Sequence, residues 1–277
     1  MLHQFGNLLF SSSVMSKVGA FYYRLLYFFR HGTFDFFYGV EVETTTACNL
    51  RCSYCPNSKF TRSLFENKKD MKLELYHKIV DELAGLKYKG RFSLHFYGEP
   101  LMDVRLPELV AYAKGKLKNA NIVLFTNGEL LTISKYNALT NAGVKKFVVT
   151  QHLSKESSNI KNILTYRKIN GRKGIIFEYV KLKKENMTNR GGLVNVTQKR
   201  IKYCRLPSDN FVIDYNGNVV LCCNDYLSSV KFGNINSEKI IDVWNEDFYK
   251  RIRYELRKGI FTLNVCKNEI KLINKNR

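Results

Sequence analysis

Three thiols stand within eight residues, Cys48-Asn49-Leu50-Arg51-Cys52-Ser53-Tyr54-Cys55, spaced C-x3-C-x2-C. A strand-like run, Val40 to Thr44, leads into them. Thiolates at this density offer two metal chemistries, zinc and iron–sulfur. Structural zinc usually takes two Cys-x2-Cys or Cys/His pairs set apart in the chain. Only Cys52 and Cys55 make one such pair, and no His is nearby. Unliganded Cys are common in cores, but three in a polar loop are not a core pattern. The residues alone leave an iron–sulfur cluster, zinc and inert thiols as the readings, with zinc and inert thiols the poorer matches to this spacing. The loop lacks the fourth Cys of ferredoxin-type runs, and a missing ligand is what a cluster needs if it must bind another molecule at iron.

The elements that would carry this loop alternate. Strand-like runs are Tyr38–Thr44, Phe92–Tyr97, Asn121–Phe125, Lys145–Thr150 and Gly174–Leu182. Between them Leu75, Ile79, Leu83 and Leu86 keep to one helical face, as do Leu106, Leu109, Val110, Ala113 and Leu117. Ile133, Tyr136 and Leu139 mark a shorter helix, and Ser154 is placed to cap a fourth that carries Ile160, Ile163 and Leu164. Strands alternating with helices predict βαβ units, a parallel sheet and an α/β fold. Sites in such sheets form at the carboxyl ends of the strands, where the Cys loop lies.

Other strand ends are also marked. The second runs into Tyr97-Gly98-Glu99-Pro100, the third ends in Thr126-Asn127-Gly128, and the fourth in Thr150-Gln151-His152. Alone, the first two read as ordinary turns, with Gly128 in a left-handed conformation, and a lone His is more often structural than catalytic. Behind a C-x3-C-x2-C loop, Gly-Glu-Pro resembles the corresponding motif of the radical S-adenosylmethionine (radical SAM) enzymes, with Tyr97 in place of a first Gly. That resemblance implies a partial (β/α)6 barrel and a [4Fe–4S] cluster on Cys48, Cys52 and Cys55. It implies S-adenosylmethionine (SAM) on the open iron, lined by Tyr54, Gly98, Glu99, Pro100, Asn127, Thr150 and Gln151. His152 is a candidate proton acceptor, given the accessible pKa of imidazole. Asn189-Arg190-Gly191-Gly192 is similar to a segment of family members with C-terminal cluster domains, and Arg190 could clamp a carboxylate or phosphate. The interval from Leu182 to Asn189 is too short for a full helix and strand, so a sixth unit would be abbreviated.

The remaining thiols, Cys204, Cys222, Cys223 and Cys266, all lie beyond residue 203. Phe211–Tyr215 and Asn218–Leu221 flank Asn216-Gly217, a hairpin signal. Ile240, Trp244, Phe248 and Ile252, four apart, predict one helix with a buried stripe. C-x12-G-x4-C followed by Cys266 resembles the SPASM and Twitch modules that hold auxiliary clusters. Four thiols allow one such cluster at most. Where those modules end in Cys-x2-Cys, this chain has Cys266 and then Glu269. Cys204, Cys222 and Cys266 are the expected ligands, and the fourth is Cys223, Glu269, a substrate group or nothing. Adjacent residues of an extended stretch point oppositely, which counts against Cys223 beside Cys222. The expected organisation is an N-terminal helical extension over 1–37, the barrel over 38–200, and a small α+β (β-hairpin plus helix) cluster domain over 201–277.

Composition bounds the setting. The chain has 277 residues and 45 Lys and Arg against 24 Asp and Glu, a formal charge of +21. That excess suits an acidic electron donor such as a flavodoxin or ferredoxin, or an anionic or nucleotide-linked small molecule. Part of it is compositional, in a chain rich in Lys, Asn and Ile. The basic residues are scattered, with no RNA-binding module, which makes nucleic acid a poor partner. Seven Cys with no clean secretory segment predict a reducing, cytoplasmic setting. Val18 to Arg30 is aromatic and apolar but short of the ~20 residues of a membrane span; it reads as a helix capping the barrel, with an interfacial helix as the alternative. The resemblance implies reductive cleavage of SAM to a 5′-deoxyadenosyl radical that abstracts hydrogen. One auxiliary cluster points to oxidation of a small polar substrate, an alcohol of a sugar, aminocyclitol or nucleotide sugar. The alternatives are peptide modification and, behind it, RNA modification.

Overall fold

A computed structural model describes residues 21, 22, 25, 28, 29, 35–183, 187–196 and 201–271. Five strands follow the expected order: β1 (Gly39–Val42), β2 (Arg91–Ser93), β3 (Asn121–Thr126), β4 (Lys146–Gln151) and β5 (Ile176–Lys181). They pair in parallel, β1 with β2, β2 with β3, β3 with β4 and β4 with β5. Helices α1 (Leu73–Gly85), α2 (Leu106–Lys116), α3 (Ile133–Ala142) and α4 (Ser158–Asn170) cross between them. Parallel strands need such crossovers. The apolar periodicity is spent against the sheet: Leu75, Ile79 and Leu83 of α1 and Leu109, Val110 and Ala113 of α2 are buried. Two expectations shift. The cap of α4 is Ser157, whose hydroxyl accepts from Ile160 N at 3.3 Å, not Ser154. Ile133 opens α3 half in solvent, leaving Tyr136 and Leu139 to anchor it.

Among the described residues no strand follows β5 before α5 (Leu206–Asp209). The chain returns to the opposite side of the sheet, where β6 (Asn210–Ile213) pairs in parallel with β1. Strands β7 (Asn218–Val220) and β8 (Lys231–Asn234) add antiparallel beyond it. One eight-stranded sheet results, in the order β5-β4-β3-β2-β1-β6-β7-β8. The hairpin turn differs from the two-residue Asn-Gly form. Asp214 N donates to Asn218 O and Gly217 N to Asp214 O, leaving three residues in the loop with Gly217 at φ +83. The Asp214 carboxylate accepts from Asn216 N and Asn218 N and fixes that shape.

The expected single C-terminal helix is two, α6 (Ile240–Asn245) and α7 (Asp247–Arg257). Glu246 is extended between them and its carboxylate caps α7 through Tyr249 N. The break turns Phe248 outward and brings Tyr249 inward, where its ring stacks on Phe232 at 3.9 Å. Arg253 is fully buried, 3.7 Å over the Trp244 ring and bonded to Trp244 O and Asp35 Oδ2. A last helix, α8, spans Asn264–Lys271. Of the N-terminal segment Val18–Arg30, residues 21, 22, 25, 28 and 29 are helical, with Phe21, Tyr22, Phe28 and Phe29 exposed; the rest of it lies outside the described residues. Among the described residues no helix is long and apolar enough to cross a membrane.

Candidate active site

The Cys loop is a closed excursion from the end of β1. Met71 N donates to Thr44 O, Thr46 N to Lys69 O and Cys48 N to Ser63 O, so the chain leaves and returns along one path. Within it Cys55 N donates to Cys52 O, and Ser58 caps the turn at Cys55 O. Burial pushes the Cys48 thiol up to about 12, and negative charge at Glu99, Cys55 and Cys52 adds to the rise. Thiols so placed ionise only beside positive charge, which bound iron supplies. Among the described residues, no three Cys, His, Asp or Glu side chains gather around a single ion. Donors to separate irons of a cluster need not meet that spacing.

β2 ends at Ser93, short of the expected Tyr97, and Gly98 lets the segment after it press against the run that leads into the Cys loop. A Cβ there would stand 1.9 Å from Thr45 O. The Glu99 backbone N donates to Ala47 O, and its buried carboxylate accepts from Thr126 Oγ1 at 2.6 Å, Asn127 N at 2.9 Å and Leu101 N at 3.2 Å. Burial raises its pKa, and those hydrogen bonds partly offset the rise. Glu99 thus braces the segment after β2 against the end of β3 and caps the turn begun by Pro100. Asn127 reaches the Cys loop, donating to Asn49 Oδ1 at 2.8 Å. Across the site, the Tyr54 hydroxyl meets His152 Nδ1 at 2.8 Å. Gln151 turns away from that group: its amide is held by Leu153 O and Tyr179 OH. Thr150, on the other side of β4, is half-buried.

Sequence reasoning missed the groups on the sheet face away from the helices. In Val40-Glu41-Val42-Glu43 the valines join the core, so the two glutamates face the other way, both buried. Glu41 is bonded to Arg91 at 2.7 Å. Burial pushes its carboxyl up, and positive charge at His95 and Arg91 pulls it below the usual carboxylate range. Burial also drives His95 down to about 4, so at neutral pH the pull on Glu41 comes from Arg91 and Arg190. Glu43 takes both its oxygens to Arg62 at 2.7 and 2.6 Å. The strict alternation of residues 40–43 was the available signal.

Arg190 sits where these groups meet the C-terminal module. It is left-handed (φ +52), followed by Gly191 and Gly192, also at positive φ. Strained backbone of this kind persists only where its surroundings fix it. Arg190 Nη1 donates to Cys223 O and Asn224 Oδ1, and its guanidinium lies 5.6 Å from the Tyr97 ring centre. Its charge reaches Cys55, His95 and His152. Tyr97, the departure from Gly, donates its hydroxyl to Cys223 O at 2.7 Å. On the far side of that strand end, Cys204, Cys222 and Cys266 line a cavity of about 270 Å³ together with Glu269. Cys223 is not among its lining residues.

The chain belongs to the radical SAM superfamily: the family model described as "Radical SAM superfamily" matches residues 42–193, and an iron-sulfur cluster-binding domain (SPASM) matches 204–268. It is 33% identical over 233 residues to the S-adenosyl-L-methionine-dependent 2-deoxy-scyllo-inosamine dehydrogenase of Niallia circulans, covering 83% of this chain and 91% of that protein. Its structure is similar to the crystal structure of BtrN in complex with AdoMet and 2-DOIA, with TM-score 0.74, 32% identity, and coverage of 84% and 92%. A PqqA peptide cyclase from Granulibacter bethesdensis is 36% identical over a shorter stretch, 38% of this chain and 26% of that protein. Membership brings a SAM-binding [4Fe–4S] cluster, SAM and an auxiliary iron–sulfur cluster. Three thiols in one loop and three more around one cavity are donor sets that fit them.

Proposed function

We propose that this chain oxidises a secondary alcohol of a small polar polyol, of the aminocyclitol class, to a ketone. The observation that carries this reading is near full-length similarity to a 2-deoxy-scyllo-inosamine dehydrogenase, in a chain whose buried Arg190 feels the charge of both Cys55 in the first cysteine set and Glu269 beside the second. When bound, the cofactors supply a 5′-deoxyadenosyl radical that takes the carbinol hydrogen atom, and an auxiliary cluster that takes the remaining electron.

The protein must then hold the substrate and receive the hydroxyl proton. Glu41 and Arg190 are the proposed charged groups for this, Glu41 for an amine or hydroxyl and Arg190 for a hydroxyl oxygen or an anionic substituent. His152 is the proposed proton acceptor. Burial and the Arg190 charge keep its pKa low, so it is neutral near pH 7, and Tyr54 OH fixes its ring. Cys48, Cys52 and Cys55 are the proposed ligands of the SAM-binding cluster. Gly98, Pro100, Asn127 and Thr150 shape the cofactor wall, while Glu99 and Gln151 hold it from behind. An acidic flavodoxin or ferredoxin-like donor is the proposed reductant, drawn by the +21 charge, and oxygen-sensitive thiols suit a cytoplasmic location.

The test is anaerobic turnover of the reconstituted enzyme with SAM, reductant and 2-deoxy-scyllo-inosamine. Ketone should form in step with methionine and 5′-deoxyadenosine. SAM cleavage without any oxidised product would overturn the reading.

A further inference from the structure

We propose that the Glu269 carboxylate is the fourth protein ligand of the auxiliary cluster, completing a site with Cys204, Cys222 and Cys266. This rests on the reading that residues 204–268 hold such a cluster. All four side chains line the one cavity of about 270 Å³. Cys266 and Glu269 are three residues apart on α8, so they share a face of that helix. A carboxylate therefore stands where a Cys-x2-Cys pair would put its second thiol.

The other candidates are placed elsewhere. Cys223 follows Cys222 directly and its thiol is near enough to Glu269 for their charges to interact, but it is not among the residues lining the cavity. Asp209 also lines the cavity, but it pairs with Arg205 at 3.2 Å.

Glu269 is also held as a ligand is held. Asn224 Nδ2 donates to its Oε1 at 2.5 Å, and Asn189 Nδ2 donates to its backbone O at 3.0 Å. The Asn224 backbone N–H donates to Cys222 Sγ at 3.4 Å. One residue thus orients two of the four donors, in the manner of outer-shell partners at metal sites. The same Asn224 accepts from Arg190 Nη1 at 3.2 Å and Thr188 Oγ1 at 2.8 Å. A single side chain therefore joins Arg190 to the Glu269 carboxylate. An oxygen donor is harder than a thiolate and makes one iron of the cluster unlike the other three.

The experiment uses a full-length Cys48→Ala/Cys52→Ala/Cys55→Ala variant, in which only the auxiliary cluster can form, reconstituted anaerobically. About four irons are expected, with one Mössbauer site distinct from the rest. Adding Glu269→Cys should bring that site into line with the thiolate-bound irons. Adding Glu269→Ala should leave about three irons and the EPR signal of an oxidised three-iron cluster. Adding Cys223→Ala should change neither spectrum. Unchanged spectra with Glu269→Ala, or a three-iron signal produced by Cys223→Ala instead, would overturn the assignment. A triple variant that binds no iron while keeping native circular dichroism would overturn the cluster reading itself, and the ligand with it.

Discussion

His95 illustrates what the charge-rich face costs the fold. Its Nδ1 has no hydrogen-bond partner among the described residues, and its ring stacks on Phe125 at 4.5 Å. Its pKa falls from 6.5 to about 4 on folding. The unfolded chain therefore takes up a proton here before the folded one does. Stability is intact above about pH 6.5 and is lost as pH falls toward 4, where the loss levels off. By about pH 5.5 the loss reaches ~1.4 kcal/mol. His95→Asn should lack that loss: its stability relative to the parent should rise as pH drops from about 7.5 to 5.5, read by denaturant titration. A constant difference would mean that His95 is not held neutral. Arg190 can be tested by the same logic of position. Lys keeps the charge but lacks the planar guanidinium that faces the Tyr97 ring while its Nη1 donates to Cys223 O and Asn224 Oδ1. Arg190→Lys should keep its iron and its SAM cleavage yet lose ~10²-fold in ketone formation. His152→Gln with intact clusters should also lose ketone formation, and unchanged turnover would reject it as proton acceptor.

At the scale of elements, Gly98 is where the segment after β2 and the segment leading to the Cys loop touch. A methyl group there meets backbone, not a side chain that could swing away. Gly98→Ala should cost ~3 kcal/mol or prevent folding, and it should lower iron at the Cys48 loop before it lowers iron at the C-terminal module. Equal loss at both would make the contact a general packing one. The α6–α7 break is milder. Glu246→Ala removes one cap and should cost about 1 kcal/mol by thermal or denaturant unfolding. These elements divide between those written locally and those that are not. The Cys loop, the five strands and the helix stripes were legible because spacing within twenty residues decides them. The break at Glu246 was not, since an apolar residue every fourth position continues across it and Glu is a weak cap signal. Arg253 reads as a surface residue until Trp244 and Asp35, nine residues and 218 residues away, close around it. Glu41 and His95 read as strand polars because their face becomes an interior only when distant strands and the C-terminal module assemble.

For the whole molecule, the decisive feature is the parallel pairing of β6 with β1 over Gly39↔Asn210 to Val42↔Ile213. The strand that delivers the Cys loop is therefore shared between the barrel and the module that carries the auxiliary thiols. Further ties cross the same seam: Tyr97 to Cys223 O, Arg62 to both Glu43 and Tyr226 O, and Trp244 Nε1 to Asp35 O. Nothing in the hairpin signal of residues 211–221 says which strand it will join, because that choice rests on burial of Phe211 against Phe37 and Trp244. A sheet built this way should unfold as one unit. The only Trp in the chain is Trp244, in the module, whereas α1 to α4 belong to the barrel. Trp fluorescence then reports the module, while far-ultraviolet circular dichroism reports the helices of both parts and is weighted toward the longer ones of the barrel. In urea their transitions should coincide, as two-state unfolding requires. Tyr97→Phe should shift both curves together by about 1 kcal/mol, the worth of one hydrogen bond. A fluorescence transition that precedes the loss of helix would mean that the module opens alone and that the shared strand does not couple the two halves.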